Sequence, residues 1–282
     1  MKVFSEKNEV SAFLEAQRKK GLSIGLVPTM GALHAGHLSL VEKASSENHV
    51  TVVTIFVNPT QFDNKTDLEK YPRTLEKDLG ILEHASLNLV VFAPTAQEVY
   101  SGNVVSGTFD FDGLEHEMEG KYRKGHFNGV GTVVKLIFEI IKPNNAYFGE
   151  KDYQQLLIVK KLTEKYKIPV KIVGCPIKRE ENGLAMSSRN ERLNKETRQK
   201  ASFIYSTLQK ARHQFGTKSA NNVRDWVKKQ FSKQNEFTLE YFEIADANTL
   251  KTVKRKNKNK QYRAFIAVFA NEVRLIDNIA LN

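Results

Sequence analysis

From Ser23 to Val173 the chain alternates short apolar runs with segments of helical spacing, and this alternation limits the possible folds more than any other feature. Ser23–Thr29 (SIGLVPT), Val50–Val57 (VTVVTIFV) and Leu87–Phe92 are continuous apolar or β-branched runs, the pattern of strands buried on both faces. Ala146–Phe148 and Val170–Val173 are shorter runs of the same kind. Leu38–Glu47, Asp67–His84, Gly129–Ile141 and Tyr153–Tyr166 read as helices; in Asp67–His84 the apolar residues Leu68, Tyr71, Leu75, Leu79 and Leu82 keep a helical period. Strands separated by helices imply βαβ units and a parallel sheet, whose ligands sit at the carboxyl ends of the strands. The pattern changes after Gly174–Pro176. Glu196–Phe215 and Asn221–Ser232 read as helices, and Phe237–Ala245, Ala264–Ala270 and Val273–Ile279 as strands. The expectation is an α/β domain over residues 1–176 and a smaller α+β domain over 177–282.

Charge follows the same division. The net charge of +11 lies entirely in residues 177–282, where 22 basic residues face 11 acidic ones, while residues 1–176 hold 21 of each. The densest cluster is 251–263, with 7 basic residues and no acid. A nucleic-acid-binding module is the rival reading this invites. Tyr262 is the only aromatic in that run, so a base-stacking surface is not indicated, and a solvated hairpin loop is the simpler account. The single cysteine excludes a disulfide framework. No apolar stretch approaches the roughly 18 residues of a membrane span, and the first residues lack the apolar core of a signal peptide. A cytoplasmic protein with no membrane and no nucleic-acid partner is expected.

Four polar constellations punctuate the strand ends. Pro28–His37 (PTMGALHAGH) closes the first strand run and opens a helix, where free amides and the helix dipole favour phosphate. Its His34 and His37 are three apart and share one face. They can donate to phosphate oxygens; a helix-capping turn and a metal-ligand pair are the alternatives, and no third ligand of suitable spacing is apparent. Asn58–Phe62 (NPTQF) offers Asn58 and Gln61 to a hydroxyl or carboxylate, or is a polar loop. Gly149–Gln155 (GEKDYQQ) presents Lys151, Asp152 and Gln155, or is an ordinary helix start. Met186–Asn190 (MSSRN) places two hydroxyls and a guanidinium together as a phosphate clamp, or begins a helix with Ser188 as its cap. Arg123–Phe127 is a basic turn that faces an anion or simply precedes a helix. There is no P-loop, no G-x-G-x-x-G fingerprint and no nucleophile elbow. Cys175 beside Pro176 reads as a packed small hydrophobe.

Taken together, PTMGALHAGH, FVNPTQF, YPRT, GHFNGVGTVV, FGEKDYQQ and GLAMSSRN, in this order, resemble the pantoate–β-alanine ligases, within the H-x-G-H nucleotidyltransferases. The resemblance implies a Rossmann-like, doubly wound parallel sheet of the nucleotidyltransferase type. It implies ATP-dependent condensation of (R)-pantoate with β-alanine through pantoyl adenylate, releasing pyrophosphate and AMP; another adenylyl- or cytidylyltransferase of the same fold is the alternative. By the same resemblance, Met30, Gly31, Ala32, Leu33, His34, Ala35, Gly36 and His37 contact ATP, with His37 also a proton donor. Lys151, Ser187, Ser188 and Arg189 hold the triphosphate and the leaving pyrophosphate, and Gly149, Glu150, Asp152, Lys178 and Met186 line the nucleotide. Gln61 and Gln155 bind pantoate beside Met30 and Phe62, with help from Asn58. Mg²⁺ accompanies ATP, with Asp78 a candidate indirect ligand, and the chain forms a homodimer through its N-terminal domain. Two positions depart from the family pattern: Lys178, usually small and apolar, and Lys124, commonly proline. Arg123 and His126 are given no catalytic role.

Overall fold

The first six strands are β1 (Lys2–Phe4), β2 (Ile24–Thr29), β3 (Val50–Ile55), β4 (Leu89–Phe92), β5 (Asn145–Gly149) and β6 (Lys171–Cys175). They form one parallel sheet in the order β1-β4-β3-β2-β5-β6. The computed structural model describes residues 1–85 and 88–282. Leu87, the expected first residue of the Leu87–Phe92 strand, lies outside the described residues. Thr29 of β2 stands opposite Ile55 of β3, and Leu26 pairs with both Val52 and Ala146. β2 thus carries β3 on one side and β5 on the other. At this strand the winding reverses, and the carboxyl ends of β2 and β5 open the crevice where doubly wound sheets bind ligands. The doubly wound parallel sheet expected from the sequence is the fold observed. Val27, Val41, Val53, Leu82, Val91 and Tyr147 pack one buried cluster against it.

The remaining strands, β7 (Phe237–Asp246), β8 (Tyr262–Ala270) and β9 (Val273–Ala280), form an antiparallel sheet in sequence order. The hairpin between β8 and β9 turns through Asn271 at φ +53°, a left-handed position that asparagine tolerates. Ile204, Leu208, Val223, Val227, Phe242 and Ile266 belong to the buried cluster that joins this sheet to the helices Ser202–Thr217 and Ala220–Phe231. By its internal contacts the chain divides into two compact units, Met1–Glu150 with Gln155–Pro176, and Lys151–Gln154 with Ile177–Asn282.

Two expected helices are each split. Asp67–His84 is the pair Lys65–Glu69 and Leu75–Glu83, because Pro72 pushes Tyr71 out of the helical region and supplies no amide. Glu196–Phe215 is the pair Lys195–Lys200 and Ser202–Thr217, parted at Ala201. The helix Lys7–Lys19, absent from the sequence reading, buries Val10 and Leu14, four apart on one face. Residues 251–261 of the basic run lie in the β7–β8 connection, with Lys251, Lys254, Arg255 and Lys258 exposed, while Tyr262 and Arg263 open β8. Lys260 pairs with Asp246 at 2.9 Å, and Lys256 lies over the Phe215 ring.

Candidate active site

The turn after β2 is built around a buried carboxylate. The Thr29 hydroxyl donates to the Thr54 carbonyl at 2.7 Å and accepts the Gly31 amide at 3.2 Å. The chain then passes through Gly31 at φ +80° and Ala32 at φ +50°. A residue with a Cβ stays in that left-handed region only when its surroundings hold it there. Asp78, 1% exposed on the helix Leu75–Glu83, accepts the Ala32 amide at 2.9 Å and the Leu33 amide at 2.7 Å, one through each oxygen. The Thr74 hydroxyl donates to the same carboxylate at 3.3 Å.

The helix Ala35–Glu47 follows, three residues earlier than its apolar pattern suggests, because His34 caps it. His34 Nδ1 accepts the Gly36 amide at 3.1 Å, and His37 Nδ1 accepts the His34 amide at 3.3 Å. The helix-capping turn and the paired histidines are therefore one arrangement, and the amides expected to be free are partly engaged by it. A ring nitrogen that accepts an N–H carries no proton, so each neutral ring bears its proton on Nε2. The two ring centroids are 4.0 Å apart.

Beyond β3, Asn58 and Gln61 are both buried, at 1% and 8% exposure. Asn58 Nδ2 donates to Gln61 Oε1 at 3.1 Å and to the Gly129 carbonyl at 3.2 Å. Asn58 Oδ1 accepts the Tyr100 hydroxyl at 2.6 Å. Gln61 Nε2 lies 3.0 Å from Met30 Sδ, which joins this turn to the one after β2. The Gln61 backbone is held as well. Its carbonyl lies 2.8 Å from His126 Nδ1; because a carbonyl only accepts, that nitrogen carries the proton, and His126 Nε2 accepts from Arg123 at 3.0 Å. Phe62 packs edge-on against Tyr71.

At the end of β5, Gly149 pairs with Cys175 of β6. Burial pushes the Cys175 thiol up to about 11, and the residue is 4% exposed. At pH 8, iodoacetamide is expected to alkylate it at least about 100-fold more slowly in the native protein than in urea, because the thiolate is the reactive form. Equal rates would show that the β6 end opens to solvent. Gln155 lies half-buried in the first turn of the helix Tyr153–Lys165.

The second unit carries Lys151, Asp152, Lys178 and Met186–Arg189. Lys151 Nζ is 3.6 Å from an Asp152 oxygen. Lys178 has an exposed side chain, and its carbonyl accepts the Met186 amide at 3.0 Å. Ser187, rather than Ser188, caps the short helix Ser188–Arg192 by accepting the Arg189 amide at 3.3 Å, since Ser188 is already its first residue and is buried. Among the described residues, no group of three or more His, Cys, Asp or Glu side chains is arranged to hold a metal.

Comparison with known proteins agrees with this architecture. The family described as pantoate-beta-alanine ligase matches residues 2–280. The chain belongs to the pantoate-beta-alanine ligase family. It is 58% identical over 282 residues to the pantothenate synthetase of Christiangramia forsetii, covering 100% of both chains. It is 47% identical to that of Bacteroides fragilis, over 99% of this chain and 98% of the relative. The crystal structure of pantothenate synthetase from Thermus thermophilus superposes with a TM-score of 0.90 at 39% identity, covering 100% of this chain and 99% of that one. The pantoate-beta-alanine ligase of Francisella tularensis, solved with beta-gamma ATP and beta-alanine, superposes with a TM-score of 0.80 at 35% identity, covering 100% of this chain and 98% of that one.

In this ligase-family chain the sequence reading missed the residues that hold the turns. Tyr100, Arg123, His126 and Gly129 all support Asn58 or Gln61. Arg123 precedes the helix His126–Ile141, as one reading of its turn has it, His126 is the first residue of that helix, and both grip the Gln61 carbonyl. Gly125 at φ +77° is the N-cap of that helix and follows Lys124, so the departure from proline leaves the turn formed.

Proposed function

We propose that this chain condenses (R)-pantoate with β-alanine at the expense of ATP, through a pantoyl adenylate, with release of pyrophosphate and AMP. The observation that carries the reading is the Met30–Gln61 contact beyond the carboxyl ends of β2 and β3. It joins the capped histidine turn, suited to phosphate, to a buried amide pair suited to a small hydroxy acid. Family membership over nearly the whole chain supports the same reaction.

Adenylation demands positioning and charge neutralisation more than covalent help from the protein. The pantoate carboxylate attacks the α-phosphorus and pyrophosphate leaves. β-Alanine then attacks the acyl carbon and AMP leaves. His34 and His37 donate Nε2–H to the α/β-phosphate oxygens, within the Met30–His37 turn that borders the nucleotide. Lys151, Ser187, Ser188 and Arg189 hold the triphosphate, the lysine and arginine by charge and the serines by hydrogen bonds, while Gly149, Glu150, Asp152, Lys178 and Met186 line the nucleotide. Gln61 and Gln155 hold pantoate, Met30 and Phe62 face its methyl groups, and Asn58 acts by orienting Gln61. ATP is expected to bring Mg²⁺ ligated mainly by phosphates and water. Asp78 is already committed to two backbone amides and the Thr74 hydroxyl, and no step is assigned to the ion through it.

The domain carrying the histidine turn and the pantoate residues is proposed as residues 1–176, with 177–282 supplying the Met-Ser-Ser-Arg segment. The chain is proposed to be cytoplasmic; no helix among the described residues is long and apolar enough to cross a membrane. It is also proposed to dimerise through its N-terminal domain, where Val104 and Val105 are 40% and 58% exposed.

AMP release with pantoate and β-alanine omitted in turn tests the reaction. Pantothenate and AMP are expected only with all three substrates. ATP turnover indifferent to pantoate, with another acid adenylated, would replace this substrate assignment.

A further inference from the structure

Strand β9 carries two adjacent buried polar residues, Asp277 and Asn278, at 5% and 2% exposure. Successive residues of a strand project to opposite faces. The side of Asp277 is shared by Val273, Leu275 and Ile279, which belong to the core under the helices. Asn278 therefore projects to the other face of the sheet.

On the core side, Asp277 receives the Arg179 guanidinium as a fork, at 2.7 and 3.0 Å. Arg179 also donates to the Gly183 carbonyl at 3.1 Å and stacks on Tyr205 at 3.6 Å. Arg179 and Ala185 form a bridge, and the Glu180 amide donates to the Leu184 carbonyl at 2.8 Å. This small hairpin leads directly into Met186–Arg189. On the opposite face, Asn278 Nδ2 donates to the Lys151 carbonyl at 2.9 Å, while its Oδ1 accepts from Arg263. Arg263 lies 4.0 Å over the Tyr153 ring, and Tyr153 packs near Phe265. One end of one strand thus holds two segments that the sequence places far apart, Lys151–Gln154 and Lys178–Arg189. Both lie within the second unit.

We infer that Asn278 is a positioning residue for ATP use: by tethering the Lys151 carbonyl on the strand whose preceding residue, Asp277, anchors the Arg179 hairpin, it fixes the spacing of Lys151 and Ser187–Arg189. The inference rests on the proposed role of those residues as phosphate contacts. A phosphate chain of fixed length needs its cations at fixed separation, and a misplacement of about 1 Å in such a constellation costs up to about 10²-fold in rate. The tether itself is one amide–carbonyl hydrogen bond. Its loss sets the scale of the effect at about 3- to 10-fold.

The test compares wild type with Asn278→Ala and Asn278→Asp. The aspartate keeps an acceptor for Arg263 and puts an oxygen opposite the Lys151 carbonyl in place of the donor, at the cost of a buried negative charge; it serves alone if the alanine variant does not fold. Two readouts are expected to move together: KM for ATP rises about 3- to 10-fold, and calorimetric affinity for α,β-methylene ATP falls by a similar factor. KM for β-alanine and the rate from preformed pantoyl adenylate stay at the wild-type level. Unchanged ATP parameters in a folded variant would overturn the inference. So would a proportional loss in every step that tracks the folded fraction, since that marks a structural role only. Wild-type turnover, measured alongside, reports separately on the proposed reaction. The analogue affinities report on Asn278 even if pantoate is not the acid used.

Discussion

Gly129→Ala is expected to lower pantothenate formation about 10²-fold, mainly through a higher KM for pantoate. Gly129 lies in the first turn of the helix His126–Ile141, where that helix meets the Pro59–Gln61 turn. A Cβ there would stand 2.3 Å from the Thr60 carbonyl oxygen, 2.5 Å from its carbon and 2.6 Å from the Gln61 amide nitrogen. All three are backbone atoms, so no side chain can swing aside. Either the helix or the turn must retreat by roughly 1 Å, a displacement that costs about 10²-fold where reacting groups are held in place. The same shift pulls the Gly129 carbonyl away from Asn58 Nδ2, which also orients Gln61. Overpacking of this kind costs about 1–3 kcal/mol of stability, so the variant should still fold. Circular dichroism and thermal melting check the fold, and steady-state kinetics with pantoate and ATP varied in turn check the site. KM for ATP should move far less than KM for pantoate. A variant with wild-type pantoate KM would remove the Gln61 turn from acid binding.

This prediction also shows where sequence reading stops. Strands β2 to β6 were legible because buried strands leave continuous apolar runs, and their alternation with helices dictates a parallel sheet; β1, only three residues long at the sheet edge, was not. The same reading ran two helices together at Pro72 and Ala201; proline is a visible breaker, whereas nothing in the composition marks Ala201. The turns of the candidate site were visible as polar residues at strand ends. What holds them was not. Asp78 is 46 residues from Ala32, and Asn278 is 127 from Lys151, so only the folded chain reveals either contact. Gly129 lies within the motif GHFNGVGTVV, yet its reason is a close approach to the Thr60 and Gln61 backbone on a turn far away in the sequence, which no local pattern encodes. His34 and His37 lie between these cases. Their spacing announced a shared face, but the reciprocal cap that assigns the ring protons is a fact of geometry.

That cap shapes the second large effect. His37→Ala is expected to slow pantoate-dependent ATP–pyrophosphate exchange by about 10²–10³-fold, the usual loss when one preorganised donor to a developing anion is removed. His37 Nδ1 is occupied by the His34 amide, so the phosphate contact proposed for this ring is assigned to Nε2–H. Alanine removes that donor and also half of the reciprocal cap, which costs about 1 kcal/mol of stability. The structural loss alone is too small to account for the kinetic one, and the two can be measured apart. Preformed pantoyl adenylate should react with β-alanine within a few-fold of the wild-type rate, because its phosphate transfer is already complete. His37→Gln, which keeps both an acceptor for the His34 amide and an N–H donor, should recover part of the exchange rate. Exchange within about 3-fold of wild type in a folded His37→Ala protein would take this ring out of adenylation and leave it the cap of a helix.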